Sequence, residues 1–144
     1  MNTSLHKEFI SNSEADTEKF AAELAASLPQ GSVLALSGDL GAGKTVFSRG
    51  FARGLGILEP VSSPTYTIIQ EYPCPEGGWF FHMDLYRIND ARSALDFGID
   101  EYLGAPDAWC IIEWAERITG ILPPDTLHLR ISILSDDSRR LTLS

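Results

Sequence analysis

Cysteine is nearly absent: the 144 residues hold two, Cys74 and Cys110, with none of the paired spacing of a zinc site. Cys110 lies in the apolar run Trp109-Cys110-Ile111-Ile112, so both are read as buried free thiols suited to a reducing compartment. Basic residues are scarce as well. Lys and Arg number 11 against 20 Asp and Glu, a formal net charge of −9. That balance excludes independent, nonspecific nucleic-acid binding, which needs cations to neutralise phosphates, so any RNA role requires a partner. No apolar run approaches the roughly 20 residues that cross a bilayer. Met1 to Glu18 is polar throughout, unlike a secretory leader, and a cytoplasmic protein is expected. No repeat, linker or low-complexity segment divides the chain, which reads as one domain over residues 1–144.

Against these absences stands one octapeptide. Gly38-Asp39-Leu40-Gly41-Ala42-Gly43-Lys44-Thr45 is a complete GxxxxGK[ST] phosphate loop. Its glycines let backbone N–H groups turn inward around phosphates, Lys44 reaches the β and γ oxygens, and the Thr45 hydroxyl is placed to ligate Mg²⁺. Asp39, Leu40, Gly41, Ala42, Gly43, Lys44 and Thr45 are therefore the expected nucleotide contacts. The context is right: Ser32 to Ser37 reads as a buried strand, and Lys44 to Leu55 as a helix with Val46, Phe47, Phe51 and Leu55 on one side. The helix would point its positive N-terminal end at the same anion.

The remaining elements follow from periodicity and turn residues. Ser13 and Asp16 resemble a capping box before a helix from about Thr17 to Leu28, with Phe20, Leu24 and Leu28 recurring every four residues. Gly54 and Gly56 close the second helix. Thr65 to Tyr72 and Trp79 to Asp84 read as an antiparallel hairpin around Pro73-Cys74-Pro75-Glu76-Gly77-Gly78. Short helices interrupted at Gly98 precede a strand from Trp109 to Ile112, and Thr126 to Leu134 with Arg140 to Leu143 form a last pair. The fold expected is α/β, a phosphate-loop NTPase domain with a mixed parallel and antiparallel sheet flanked by helices.

In open α/β sheets ligands sit beyond the carboxyl ends of the parallel strands. Asp84 and Glu113 each follow an apolar run, so both fall at the edge that holds the phosphate loop. They compete for the role of holding Mg²⁺ or orienting the attacking water, and residue type alone does not rank them. Thr65 begins the opposed hairpin strand at the same edge, placing it as a switch residue that senses the γ-phosphate, or else as a plain turn beside Pro64. His82 is expected to be a hydrogen-bonded core histidine rather than a base. Trp114 is read as structural, with packing beside the nucleotide as the alternative. Asp96-Phe97-Gly98 imitates a kinase signature, but no HRD motif accompanies it.

Four motifs in this order, GDLGAGKT at 38–45, SPTY at 63–66, HMDLYR at 82–87 and IEW at 112–114, closely resemble the bacterial TsaE (YjeE) family over residues 13 to about 143. The resemblance implies a cytoplasmic Mg²⁺-dependent ATPase, a weak hydrolase alone, working with TsaB and TsaD. That machinery places threonylcarbamoyl on the adenosine next to the anticodon in tRNAs reading codons that begin with A, and the ATP cycle resets the TsaB–TsaD pair. tRNA is met only through the complex. By motif, the resemblance makes Thr45 and Glu113 metal ligands, Asp84 a second acid near the metal and Thr65 the switch threonine. It also makes Glu14 and Arg139 nucleotide contacts, with Arg140 competing for the place of Arg139.

Two departures stand out. Many members carry two threonines after the loop lysine, whereas Val46 follows Thr45 here, removing a hydroxyl near the α-phosphate; Phe20-Ala21 replaces a common Leu-Gly. Neither removes an essential phosphate or metal ligand. A small-molecule kinase would share the loop but needs clustered arginines, and only Arg87 and Arg92 lie between Tyr66 and Trp109. A GTPase would need an NKxD sequence, which is absent. A non-hydrolysing, nucleotide-dependent scaffold is the remaining rival.

Overall fold

The computed structural model describes residues 7–39, 41–61 and 68–144. In chain order the elements are β1 (Lys7–Ser11), α1 (Glu14–Ser27), β2 (Val33–Gly38), α2 (Lys44–Gly54), β3 (Ile69–Pro73) and β4 (Trp79–Asp84). They continue with α3 (Ala91–Asp96), α4 (Ile99–Leu103), β5 (Ala108–Glu113), a 3-10 segment (Ala115–Ile121), β6 (Leu127–Ile133) and β7 (Arg139–Leu143). The strands form one sheet in the order β1-β7-β6-β2-β5-β4-β3. β6, β2, β5 and β4 run parallel to one another, while the flanking pairs β1/β7, β7/β6 and β4/β3 are antiparallel. This is the mixed α/β sheet that the sequence led us to expect.

β2 and β5 are the central parallel strands, and their near-continuous apolar runs (VLALSG and AWCIIE) are what burial on both faces requires. One face carries Leu34, Leu36, Phe80, Ile111 and Leu129 beneath Phe47 and Phe51 of α2. The other carries Val33, Ala35, Met83 and Ile112 beneath Ala94, Ile99 and Ile118. The α3 to α4 break falls at Gly98, as expected. Cys74 and Cys110 are free and buried, and burial pushes the Cys110 thiol up to about 12.

Three expectations are corrected. α1 starts at Glu14, capped by Ser13, whose hydroxyl accepts the Asp16 N–H at 3.0 Å. Its buried positions are Thr17, Ala21 and Ala25, while Phe20, Leu24 and Leu28 are only partly buried. The reason is α2: a Cβ on Gly50 would lie 2.5 Å from the Glu18 carbonyl oxygen, and one on Gly54 2.5 Å from that of Ala22. Only small residues permit helices so close; Gly54 is also the last residue of α2, and Gly56 follows with φ of +86°, so these glycines close the helix as expected. Second, the polar N-terminal stretch contains strand β1, which pairs with β7 at the sheet edge. Third, Trp114 leads into a 3-10 segment that the sequence did not announce. Residues 62–67, including Thr65, lie outside the described residues, as does Leu40.

Candidate nucleotide site

β2 delivers the chain to Gly38 and α2 begins at Lys44, with the loop between them. Gly41 and Gly43 have φ of +82° and +107°, and no heavy atom lies within 4 Å of where a Cβ would sit on either. The loop thus presents bare backbone to open space, the form that lets N–H groups approach phosphate oxygens. The Ala42 N–H donates to the Asp39 carbonyl at 2.9 Å, closing the turn. Gly43 caps α2 without a side-chain hydrogen bond, leaving the first-turn N–H groups without a capping side chain from the N-cap position. Asp39 is exposed on the loop.

Arg139, at the start of β7, pins this loop from outside. Its Nε donates to the Ala42 carbonyl at 3.0 Å, one terminal nitrogen to the Gly41 carbonyl at 3.4 Å, and the other to the carbonyls of Ser135 at 2.8 Å and Ser138 at 3.0 Å. A cleft of about 320 Å³ opens here, lined by Glu14, Thr17, Gly41, Gly43, Val46 and Arg139. Glu14 and Arg139, named by resemblance, are therefore brought to the loop together. Arg140 is not: its Nε lies 3.8 Å from Glu8 of β1, on an exposed surface. Val46 lines the cleft with an apolar side chain where a second threonine would offer a hydroxyl.

The two candidate acids meet at the same edge. Asp84 and Glu113 are register partners on β4 and β5, and Glu113 is also partnered with Leu36, two residues before the loop glycine Gly38. Burial pushes the Asp84 carboxyl above its ordinary range, and the nearby Glu113 adds to the rise; the Tyr86 backbone N–H, donating to Asp84 Oδ1 at 3.0 Å, and the Lys44 ammonium act against it. Glu113 is only 4% exposed and sits 2.8 Å from the Nε2 of His82, which is fully buried. His82 is thus a core histidine, as expected, but one joined to a candidate functional carboxylate.

Trp114 follows Glu113 with φ of +64°, the only positive φ at a non-glycine among the described residues. That strained backbone turns the indole over the site. Lys44 Nζ lies 5.2 Å from its ring centroid, the Arg117 guanidinium carbon 5.3 Å, and Tyr86 meets it edge-on at 5.1 Å. Neither Arg117 nor Tyr86 was among the candidates. Nothing in periodicity marks them; their signal is that each follows a post-strand acid by two to four residues.

The donor set fits Mg²⁺. The carboxylates of Asp84 and Glu113 are hard oxygen donors paired at the strand ends, Thr45 is the second residue of α2, and Mg²⁺ is typically held by one or two carboxylates with phosphate and water completing its shell. Among the described residues no group of three His, Cys, Asp or Glu forms a metal cage of its own.

With this geometry in view, comparison with known proteins is informative. The family model "Threonylcarbamoyl adenosine biosynthesis protein TsaE" matches residues 11–141. A tRNA threonylcarbamoyladenosine biosynthesis protein TsaE from Bacillus subtilis is 45% identical over 130 residues, 90% of this chain and 79% of that protein. The protein of the same name from Aquifex aeolicus is 38% identical and 96% of each chain is covered. The crystal structure of Bacillus subtilis YdiB superposes with a TM-score of 0.79 at 37% identity, covering 96% of this chain and 84% of that one. Among the described residues no helix is long and apolar enough to cross a membrane. By sequence and by fold, the chain belongs to the TsaE family of threonylcarbamoyl adenosine biosynthesis proteins.

Proposed function

We propose that this protein is a Mg²⁺-dependent ATPase of the cytoplasm that acts with TsaB and TsaD, resetting the complex that threonylcarbamoylates the adenosine next to the anticodon in tRNAs reading codons that begin with A. One observation carries the reading: the bare-backbone loop at the head of α2 shares an edge with two carboxylates, Asp84 and Glu113, in register on adjacent strands. Phosphoryl transfer depends on this combination of positioning and charge.

Each residue then has a task. The loop backbone from Asp39 to Gly43 and the first turn of α2 hold the phosphates, and Lys44 leaves the Trp114 ring to meet the β and γ oxygens. Thr45 and Glu113 hold Mg²⁺, which when bound supplies positive charge against the developing charge on the phosphates. Asp84 orients the attacking water, Glu14 and Arg139 border the cleft on the nucleotide, and Thr65 reports the γ-phosphate to a partner-facing surface. With a net charge of −9, the chain meets tRNA only through its partners.

Phosphate release from ATP, followed across a Mg²⁺ titration with and without TsaB and TsaD, tests the reading. Slow release that requires Mg²⁺ and rises with the partners supports it. Transfer of the γ-phosphate to a small acceptor would replace it with a kinase, and partner assembly on ATP with no release at all would replace it with a scaffold.

A further inference from the structure

The register of β4 and β5 sets His82 beside Ile111 and Asp84 beside Glu113. With alternation along each strand, His82, Asp84 and Glu113 rise from one face of the sheet, the face on which Phe80 and Ile111 pack under α2. His82 reaches diagonally across to Glu113, Nε2 to Oε2 at 2.8 Å. The imidazole stacks on Phe80, centroids 6.1 Å apart and planes 11° from parallel. Its other nitrogen, Nδ1, is buried with no hydrogen-bond partner among the described residues. A buried N–H without an acceptor costs free energy, so the hydrogen belongs on Nε2, where Glu113 accepts it.

We infer that His82 is a positioning residue for Glu113: by donating from Nε2 it engages Oε2, fixes the carboxylate rotamer, and leaves Oε1 as the single oxygen that serves the phosphate-loop edge. This rests on the proposed ATPase reading, in which Glu113 is a Mg²⁺ ligand. A carboxylate free at both oxygens can shift between one-point and two-point ligation. One held by a buried donor presents a fixed atom, and outer partners of this kind typically govern metal affinity or activity by about 10- to 100-fold.

Two variants and one spectrum test it. His82→Leu fills the space without a donor, and His82→Gln returns an N–H of similar reach. H82L should lower kcat for ATP hydrolysis about 10- to 100-fold and reduce the gain in ATP affinity that Mg²⁺ gives in calorimetry, leaving Mg²⁺-free ATP affinity unchanged; H82Q should recover most of both. In the folded wild type, ¹⁵N histidine NMR should show the hydrogen on Nε2 of His82, with a resonance that moves in Glu113→Gln. A wild-type Mg²⁺ response in H82L, equal losses in H82L and H82Q, or the hydrogen on Nδ1 would each overturn the inference. If H82L fails to fold, H82Q and the wild-type spectrum decide. If the wild type itself releases no phosphate, the ATPase reading falls, while the tautomer and the Mg²⁺ effect on ATP binding still judge His82.

Discussion

Arg139→Ala is the most discriminating single change, because the neighbouring residue supplies its own control. Arg139 is held by backbone carbonyls on both sides: Ser135 and Ser138 in its own turn, Gly41 and Ala42 in the phosphate loop. The two loop bonds, at 3.0 Å to Ala42 and 3.4 Å to Gly41, fix the loop from behind before any nucleotide arrives. At about 1 kcal/mol for each bond, losing both removes about 2 kcal/mol of loop organisation. If nucleotide binding must then reorganise the loop, ATP affinity falls roughly 30-fold. Arg139→Lys should not recover it, since an ammonium cannot span both sides as a planar fork does. Arg140→Ala, losing only an exposed pair with Glu8, should change affinity less than about twofold. Titration calorimetry with Mg²⁺-ATP reads all three, and amide exchange at Gly41 to Gly43 should quicken in R139A alone. Equal affinity for R139A and wild type would refute the view that this arginine preorganises the loop.

Lys44→Ala should weaken ATP binding at least about tenfold, or 1.4 kcal/mol; calorimetry showing no change would place the nucleotide elsewhere. Glu113→Gln and Asp84→Asn should cut hydrolysis far more than ATP affinity, with Glu113→Gln the more damaging, as measured by steady-state phosphate release beside binding. Gly50→Ala puts a Cβ 2.5 Å from the Glu18 carbonyl oxygen and should destabilise the fold by about 1–3 kcal/mol in urea melts, because helix backbones rather than flexible side chains would have to move.

Local signals made the phosphate loop, its strand and its helix legible, since the loop needs a fixed spacing and its flanks a visible apolar pattern. The sheet edge that gathers Asp84 and Glu113 followed from strand direction, and the hairpin strand Trp79–Asp84 matched residue for residue. β1 escaped because an edge strand pairs through its backbone and its side chains need not be apolar: Lys7, Glu8 and Ile10 are exposed. The buried stripe of α1 escaped for a related reason. The large residues Phe20, Leu24 and Leu28 draw the eye, but the helices approach most closely through backbone, where Gly50 faces Glu18 and Gly54 faces Ala22. The His82 to Glu113 bond was hidden because it joins residues 31 apart in sequence through a register that only the folded sheet defines. The choice of Arg139 over Arg140 has the same origin: which of two adjacent arginines faces the loop is decided by strand alternation relative to β6.

The central claim is that ATP hydrolysis recycles a partner complex rather than driving the transfer itself, and one time course tests it directly. TsaB and TsaD are supplied with threonylcarbamoyl-adenylate and tRNA, and modified tRNA per complex is counted over time in the presence of ATP. Without this protein the account predicts about one product per complex, with it repeated turnover, and with Glu113→Gln assembly but no cycling, because a phosphate-loop switch acts on release rather than on chemistry. Multiple turnovers without the protein, or equal support from wild type and Glu113→Gln, would contradict it.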